Sequence, residues 1–213
     1  MNREVSLVDL IVHELRTPLT VALGSLRQVD LADPAAEAAL GRVRRSCERL
    51  EQIAADMREF VRVSSFDPSD ATAIDLQAAI GRAIAIVTSL RDVRVELRGD
   101  ASAPVLAFPH RLEGALGALL LALARAAGPD ESLFVTVTAA DDRVLVHGQR
   151  ADAAPECASG FGAEWVGGVG FALPLARAAI ERAGGQVRSA DASDGRFGAF
   201  SVSLVPAPQA PPR

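Results

Sequence analysis

The strongest constraint on the fold is a pair of apolar repeats on either side of Asp33-Pro34. Leu7, Ile11, Leu15 and Leu19 recur every four residues, and Leu23 and Leu26 continue the stripe, which is the spacing of one buried helical face. Beyond the Asp-Pro punctuation, Ala36, Leu40, Val43, Cys47, Leu50, Ile53, Met57 and Phe60 step by four and three, the pattern of a packing seam. Two long helices, the first over about residues 3–31, therefore form an antiparallel hairpin across residues 1–63. A lone hairpin leaves too much apolar stripe in water. Two copies close a four-helix bundle, so a homodimer is expected; the other way to cover the stripe is to bury it against the rest of the same chain. Arg42, Arg44, Arg45 and Arg49 are expected to form a solvated face, or else a docking surface for an acidic partner.

The first helix also carries chemistry. His13 lies off the apolar stripe and is expected to face solvent, where a neutral imidazole is a competent nucleophile near neutral pH. Glu14 is a neighbouring carboxylate able to take a ring proton or fix the tautomer. Thr17 follows one turn later, and Pro18 removes an amide donor, so a bend is expected just past His13. The run His13-Glu14-Leu15-Arg16-Thr17-Pro18-Leu19-Thr20 resembles the phosphoacceptor box of two-component sensor histidine kinases. The resemblance implies that His13 is phosphorylated on a ring nitrogen, that Glu14 gives acid/base assistance, and that Thr17 supports water in removing phosphate from a partner aspartate. It also implies that the hairpin is a dimerisation and phosphotransfer domain.

Periodicity is lost over residues 64–73, where turn formers gather, and the domain linker is placed there. Residues 74–206 then alternate: strand over 73–76, helix over 77–90, strands over 93–98 and 105–108, an apolar helix over 109–127, strands over 133–139 and 143–146, a helix over 171–183 ended by Gly184-Gly185, and strands over 186–190 and 198–204. The fold class is α+β: a helical hairpin followed by a sandwich of one helical layer on a mixed sheet. The tail over 207–213 is proline-rich and expected to be disordered.

The order of elements in the second domain is similar to the ATP-binding domain of histidine kinases, but the residues match unevenly. Gly167-Gly168-Val169-Gly170 before a helix resembles a glycine-rich phosphate box, and Gly168 and Gly170 serve equally as a simple turn or as a relic phosphate loop. The family's asparagine box, which holds Mg²⁺ and phosphates, falls on the helix from Arg111 to Leu123, with Ala118 and Ala122 where asparagines are usual. A methyl group cannot coordinate a hard cation. The Asp-x-Gly-x-Gly box falls on Gly148-Gln149-Arg150-Ala151-Asp152, so the adenine-binding aspartate and both following glycines are missing. The stretch between the two glycine boxes is also short for a nucleotide lid, with Phe161 and Trp165 set to cover an apolar patch.

Composition narrows the remaining classes. A net charge of −5 without a basic patch argues against nucleic acid as a partner. No stretch spans a bilayer and the first residues form no signal peptide, so no membrane partner and a cytoplasmic location are expected, with the signal arriving from a larger sensor of which this is a piece or from another protein. Cys47, on the apolar stripe, and Cys157, in a loop, form no disulfide framework; His110 and His147 lack ligand neighbours, so no metal is expected on this chain. The leading expectation is a phosphorelay protein, a histidine phosphotransferase rather than an active kinase. It exchanges a phosphoryl group on His13 with the aspartate of a response-regulator receiver domain, binds little or no ATP, and relies on Mg²⁺ held by the receiver. An upstream histidine kinase is a further expected partner. The alternatives are an ATP-dependent autophosphorylating sensor kinase fragment and a non-catalytic pseudokinase binding module.

Overall fold

The computed structural model describes residues 7–27, 36–99, 102, 104–128, 130–140, 142–151, 172–192 and 196–208, and of residues 7–10 and 13 the backbone alone. Helices α1 (Leu7–Arg27) and α2 (Ala36–Ser64) pack as the expected hairpin. Asp33-Pro34 and the ends expected for the first helix lie outside the described residues. α1 runs through Pro18 without a break in its helical assignment.

The face that α1 turns to α2 is not the leucine stripe. Glu14, Pro18, Ala22 and Ser25 are buried there, with Ile11 and Leu15 half-buried, and across from them α2 buries Ala39, Ser46 and Ile53. Most of the fully buried side chains here are small, and most of the bulkier leucines lie outside this face. Leu19, Leu23 and Leu26 are consequently exposed, as are Leu40 and Cys47 from the seam expected on α2. Cys47 is thus off the core of the single chain. Among the described residues, the hairpin's own apolar core is Ile53 with Ile11, Leu15 and Met57 around it.

The stretch after α2 is a packed joint. Val63 is fully buried, and the Phe66 ring tilts against Phe108 at 4.9 Å. Arg111 pairs with Glu59, and Arg182 Nη2–H donates to the Phe66 carbonyl at 2.7 Å. A single 3₁₀ turn (Pro68–Asp70) is capped by Asp67, whose carboxylate accepts from the Ser69 amide at 2.9 Å and from its hydroxyl; those bonds hold the Asp67 carboxyl below the usual carboxylate range.

Among the described residues seven strands follow: β1 (Thr72–Ile74), β2 (Arg94–Gly99), β3 (Val105–Ala107), β4 (Ser132–Ala140), β5 (Arg143–Arg150), β6 (Gln186–Asp191) and β7 (Phe197–Pro206). They form one mixed sheet in the order β1-β3-β7-β5-β4-β2, with β6 also paired to β7; only β2 and β4 run parallel. One layer of helices covers it: α3 (Leu76–Leu90), α4 (Arg111–Ala126) and α5 (Ala172–Arg182). α3 begins where the Asp75 side chain accepts from the Ala78 amide at 2.9 Å, and α5 ends at Gly184, whose φ of +81° is the left-handed conformation glycine adopts without strain. Alternation along β5 buries Val144, Val146, Gly148 and Arg150 toward the helices.

Two expectations change. β5 was expected over 143–146 and instead continues to Arg150, because Gly148, Gln149 and Arg150 keep pairing with β4. The fold also reaches past Pro206, since Ala207 is buried and its amide donates to the Pro104 carbonyl at 2.9 Å.

Candidate functional site

His13 sits in the second turn of α1, with Thr17 exposed one turn further on. Neighbours in a helix lie about 100° apart around the axis, so the Glu14 position lies to one side of the His13 position. It turns toward α2, with its side chain only 8 % exposed, and Arg49 Nη2–H donates to its Oε2 at 2.6 Å. A carboxylate so enclosed requires a charged partner. Arg42 makes the second polar link between the helices, its Nε–H donating to the Ser25 hydroxyl at 3.2 Å. The arginine cluster therefore divides. Arg44 pairs with Glu48 at 3.7 Å in solvent, whereas Arg42 and Arg49, two turns apart on one face, cross to α1. Their spacing of seven was the only sign of this in the sequence.

The positions resembling a nucleotide site lie on α4 and β5. Ala118 is half-buried and Ala122 buried, and neither offers an oxygen ligand. Gly148 pairs directly with Phe200 of β7. The fully buried Phe200 ring lies over the glycine so closely that a Cβ there would overlap it. Two residues on, Arg150 is buried on the same side of the strand. Its Nε–H donates to Glu131 Oε1 at 2.9 Å, with side chains 5 % and 16 % exposed, and Glu131 Oε2 accepts the Gly128 amide at 2.9 Å. A bulky aromatic and a buried ion pair thus stand where the resemblance would place a carboxylate and a glycine. Sequence reading missed both Phe200 and the partner of Arg150; only register exposes them.

Near the start of α4, Glu113 accepts from Arg82 of α3 at 2.6 Å, and this bond holds the Glu113 carboxyl below its usual range. His110 caps α4 with a φ of 61° and no side-chain bond, while His147 Nε2 lies 2.9 Å from Gln149 Oε1 within β5. Among the described residues no group of acidic, histidine or cysteine side chains is arranged to hold a metal, and no helix is long and apolar enough to cross a membrane. Gly168 and Gly170 lie outside the described residues, as do Asp152, Cys157, Phe161 and Trp165.

Comparison with known proteins separates the two halves. Residues 5–66 match the His Kinase A (phospho-acceptor) domain. No curated protein matches the chain in sequence. Among solved structures, the Acinetobacter baumannii histidine kinase AdeS is similar with a TM-score of 0.60 at 19% identity, covering 92% of this chain and 98% of that one. The mycobacterial sensor histidine kinase MprB gives 0.52 at 20%, over 65% of this chain and 99% of its own. Full-length ShkA, solved in complex with AMPPNP, gives 0.53 at 19%, over 93% of this chain and 46% of its own. At these identities the likeness is one of fold.

Proposed function

From the premise that this chain belongs to the two-component sensor histidine kinase family, we propose that His13 is its phosphoacceptor and a response-regulator receiver domain its partner. The observation that carries the proposal is the phosphoacceptor domain over residues 5–66, with the His-Glu-Leu-Arg-Thr-Pro box inside it. In transfer, a ring nitrogen of His13 attacks phosphorus, the bond to the donor oxygen breaks, and the leaving group keeps the electron pair; positioning and charge stabilisation supply most of the rate. Glu14 takes the proton from the other ring nitrogen, and Thr17 assists dephosphorylation of the partner.

Homodimerisation belongs to the same reading. Val12, Leu19, Leu23 and Leu26 form one exposed stripe on α1, Leu23 being 55% exposed, and Leu40 and Cys47 are exposed on α2. A second copy is the cover that turns this surface into a bundle core.

Two sources of phosphoryl are in play. In the relay reading it comes from the aspartate of a receiver, with Mg²⁺ held by the receiver and little or no ATP bound here. The Phe200 ring over Gly148, the Arg150–Glu131 pair and the two alanines of α4 support it. In the kinase reading the chain is a cytoplasmic kinase segment that phosphorylates itself from ATP. The architecture favours this second reading: the likeness to AdeS runs through both domains and nearly the whole of each chain. Labelled ATP with Mg²⁺ separates them. Acid-labile label on wild type that is lost in His13→Ala establishes the kinase, whereas label acquired only from a phosphorylated receiver establishes the relay. Receiver binding with no transfer from either source would leave a pseudokinase binding module.

A further inference from the structure

We infer that Arg49 is a positioning residue for phosphoryl chemistry at His13, acting through Glu14; the inference rests on the phosphoacceptor reading above. Glu14 follows His13 directly and its position lies about a quarter turn away around α1, with the carboxylate turned to α2. Where that carboxylate stands is therefore decided by α2. Arg49, 35 residues away in sequence, grips Oε2 at 2.6 Å and leaves Oε1 as the oxygen to receive a ring proton. A glutamate on three rotatable bonds loses that placement without the grip. The pair is also asymmetric in access: Glu14 is enclosed, while the Arg49 side chain is 43% exposed beside the exposed Arg45 and Glu48.

The test uses the full chain and phosphoramidate as a nucleotide-free donor. Its phosphorus–nitrogen bond breaks, ammonia leaves with the electron pair, a ring nitrogen of His13 bonds to phosphorus, and the other ring nitrogen gives its proton to Glu14. Initial labelling rates are read by intact mass for wild type, Glu14→Gln, Arg49→Gln, Arg49→Lys, Glu14→Gln/Arg49→Gln and His13→Ala. A positioned base contributes about a hundredfold or more. Glu14→Gln and Arg49→Gln are expected to fall by similar factors of about ten to a hundred, Arg49→Lys to recover part of the rate, and the double variant to match Glu14→Gln. Arg49→Gln labelling at the wild-type rate, or losses that multiply in the double variant, would overturn the inference while leaving the acceptor in place. Label persisting in His13→Ala overturns the acceptor reading, and this one with it. Should Arg49→Gln fail to fold because Glu14 is left buried and unpaired, Glu14→Gln against the double variant carries the same decision: equal rates support it, a further loss refutes it.

Discussion

The two halves of this molecule keep opposite things. The hairpin carries the His13 box and, among the described residues, has little interior: Ile53 and Val63 are its fully buried apolar residues larger than alanine, and leucines line its outside. The second domain holds on to its interior, an unbroken core from α3, α4 and α5 to the central strands, while the positions that resemble its site carry Ala118, Ala122, Gly148 and Arg150. A small hairpin cannot reach a stable core alone, so apolar positions outside its own helix contact are no surprise there. A sheet packed under a helical layer draws most of its stability from that layer and little from one end of one strand. Fold likeness and site likeness are thus separate quantities, and here they are divided between domains.

That contrast can be broken most sharply at the exposed stripe. Replacing Leu19, Leu23 and Leu26 by Ser removes up to roughly 1 kcal/mol per half-exposed side chain in each copy, which weakens self-association by up to about ten-thousandfold. Light scattering is expected to give the mass of one chain with an unchanged circular dichroism spectrum; a wild type already at that mass would erase the contrast. Next comes Phe200→Ala. It opens the core beside Gly148 and is expected to destabilise the second domain by about 3–5 kcal/mol in urea unfolding, without gain of nucleotide binding in calorimetry. Arg150→Met, which leaves Glu131 partly solvated, is expected to lower stability by about 2 kcal/mol, and pairing it with Glu131→Gln should recover part of that. The smallest effect concerns pH. The Glu113 carboxyl is depressed by Arg82, so the pair adds stability above the ordinary glutamate value of 4.5 and loses it as pH falls through the folded-state value. Thermal melts of Glu113→Gln should therefore show a shallower drop on acidification than wild type.

Periodicity made the elements legible, and pairing decided what it could not. The hairpin, the α+β class and the strand order along the chain follow from repeats of about 3.6 and of 2, and Asp75 and Gly184 mark helix ends by their own chemistry. The stripes misled about facing, because the hairpin is apolar on two sides and a linear repeat does not say which side meets its own partner helix. Small buried residues do: Pro18, Ala22, Ala39 and Ser46 lie on the faces that the two helices turn to each other. The box around His13 was readable because it is contiguous. The Glu14–Arg49 and Arg150–Glu131 pairs were not, since each joins residues far apart in sequence and neither residue type is rare on a surface. β5 was taken to end at Val146 because glycine and glutamine weaken the strand pattern, yet the β4 register carries it to Arg150.

The ring laid across Gly148 has a consequence for what this protein can become. Any side chain introduced at 148 collides with a fully buried phenylalanine, and shrinking the phenylalanine first empties the middle of the domain. Each single step is a loss, so only a simultaneous pair of exchanges passes between the two states. Libraries that vary one codon at a time would climb neither side of that ridge, and the position behaves as a ratchet.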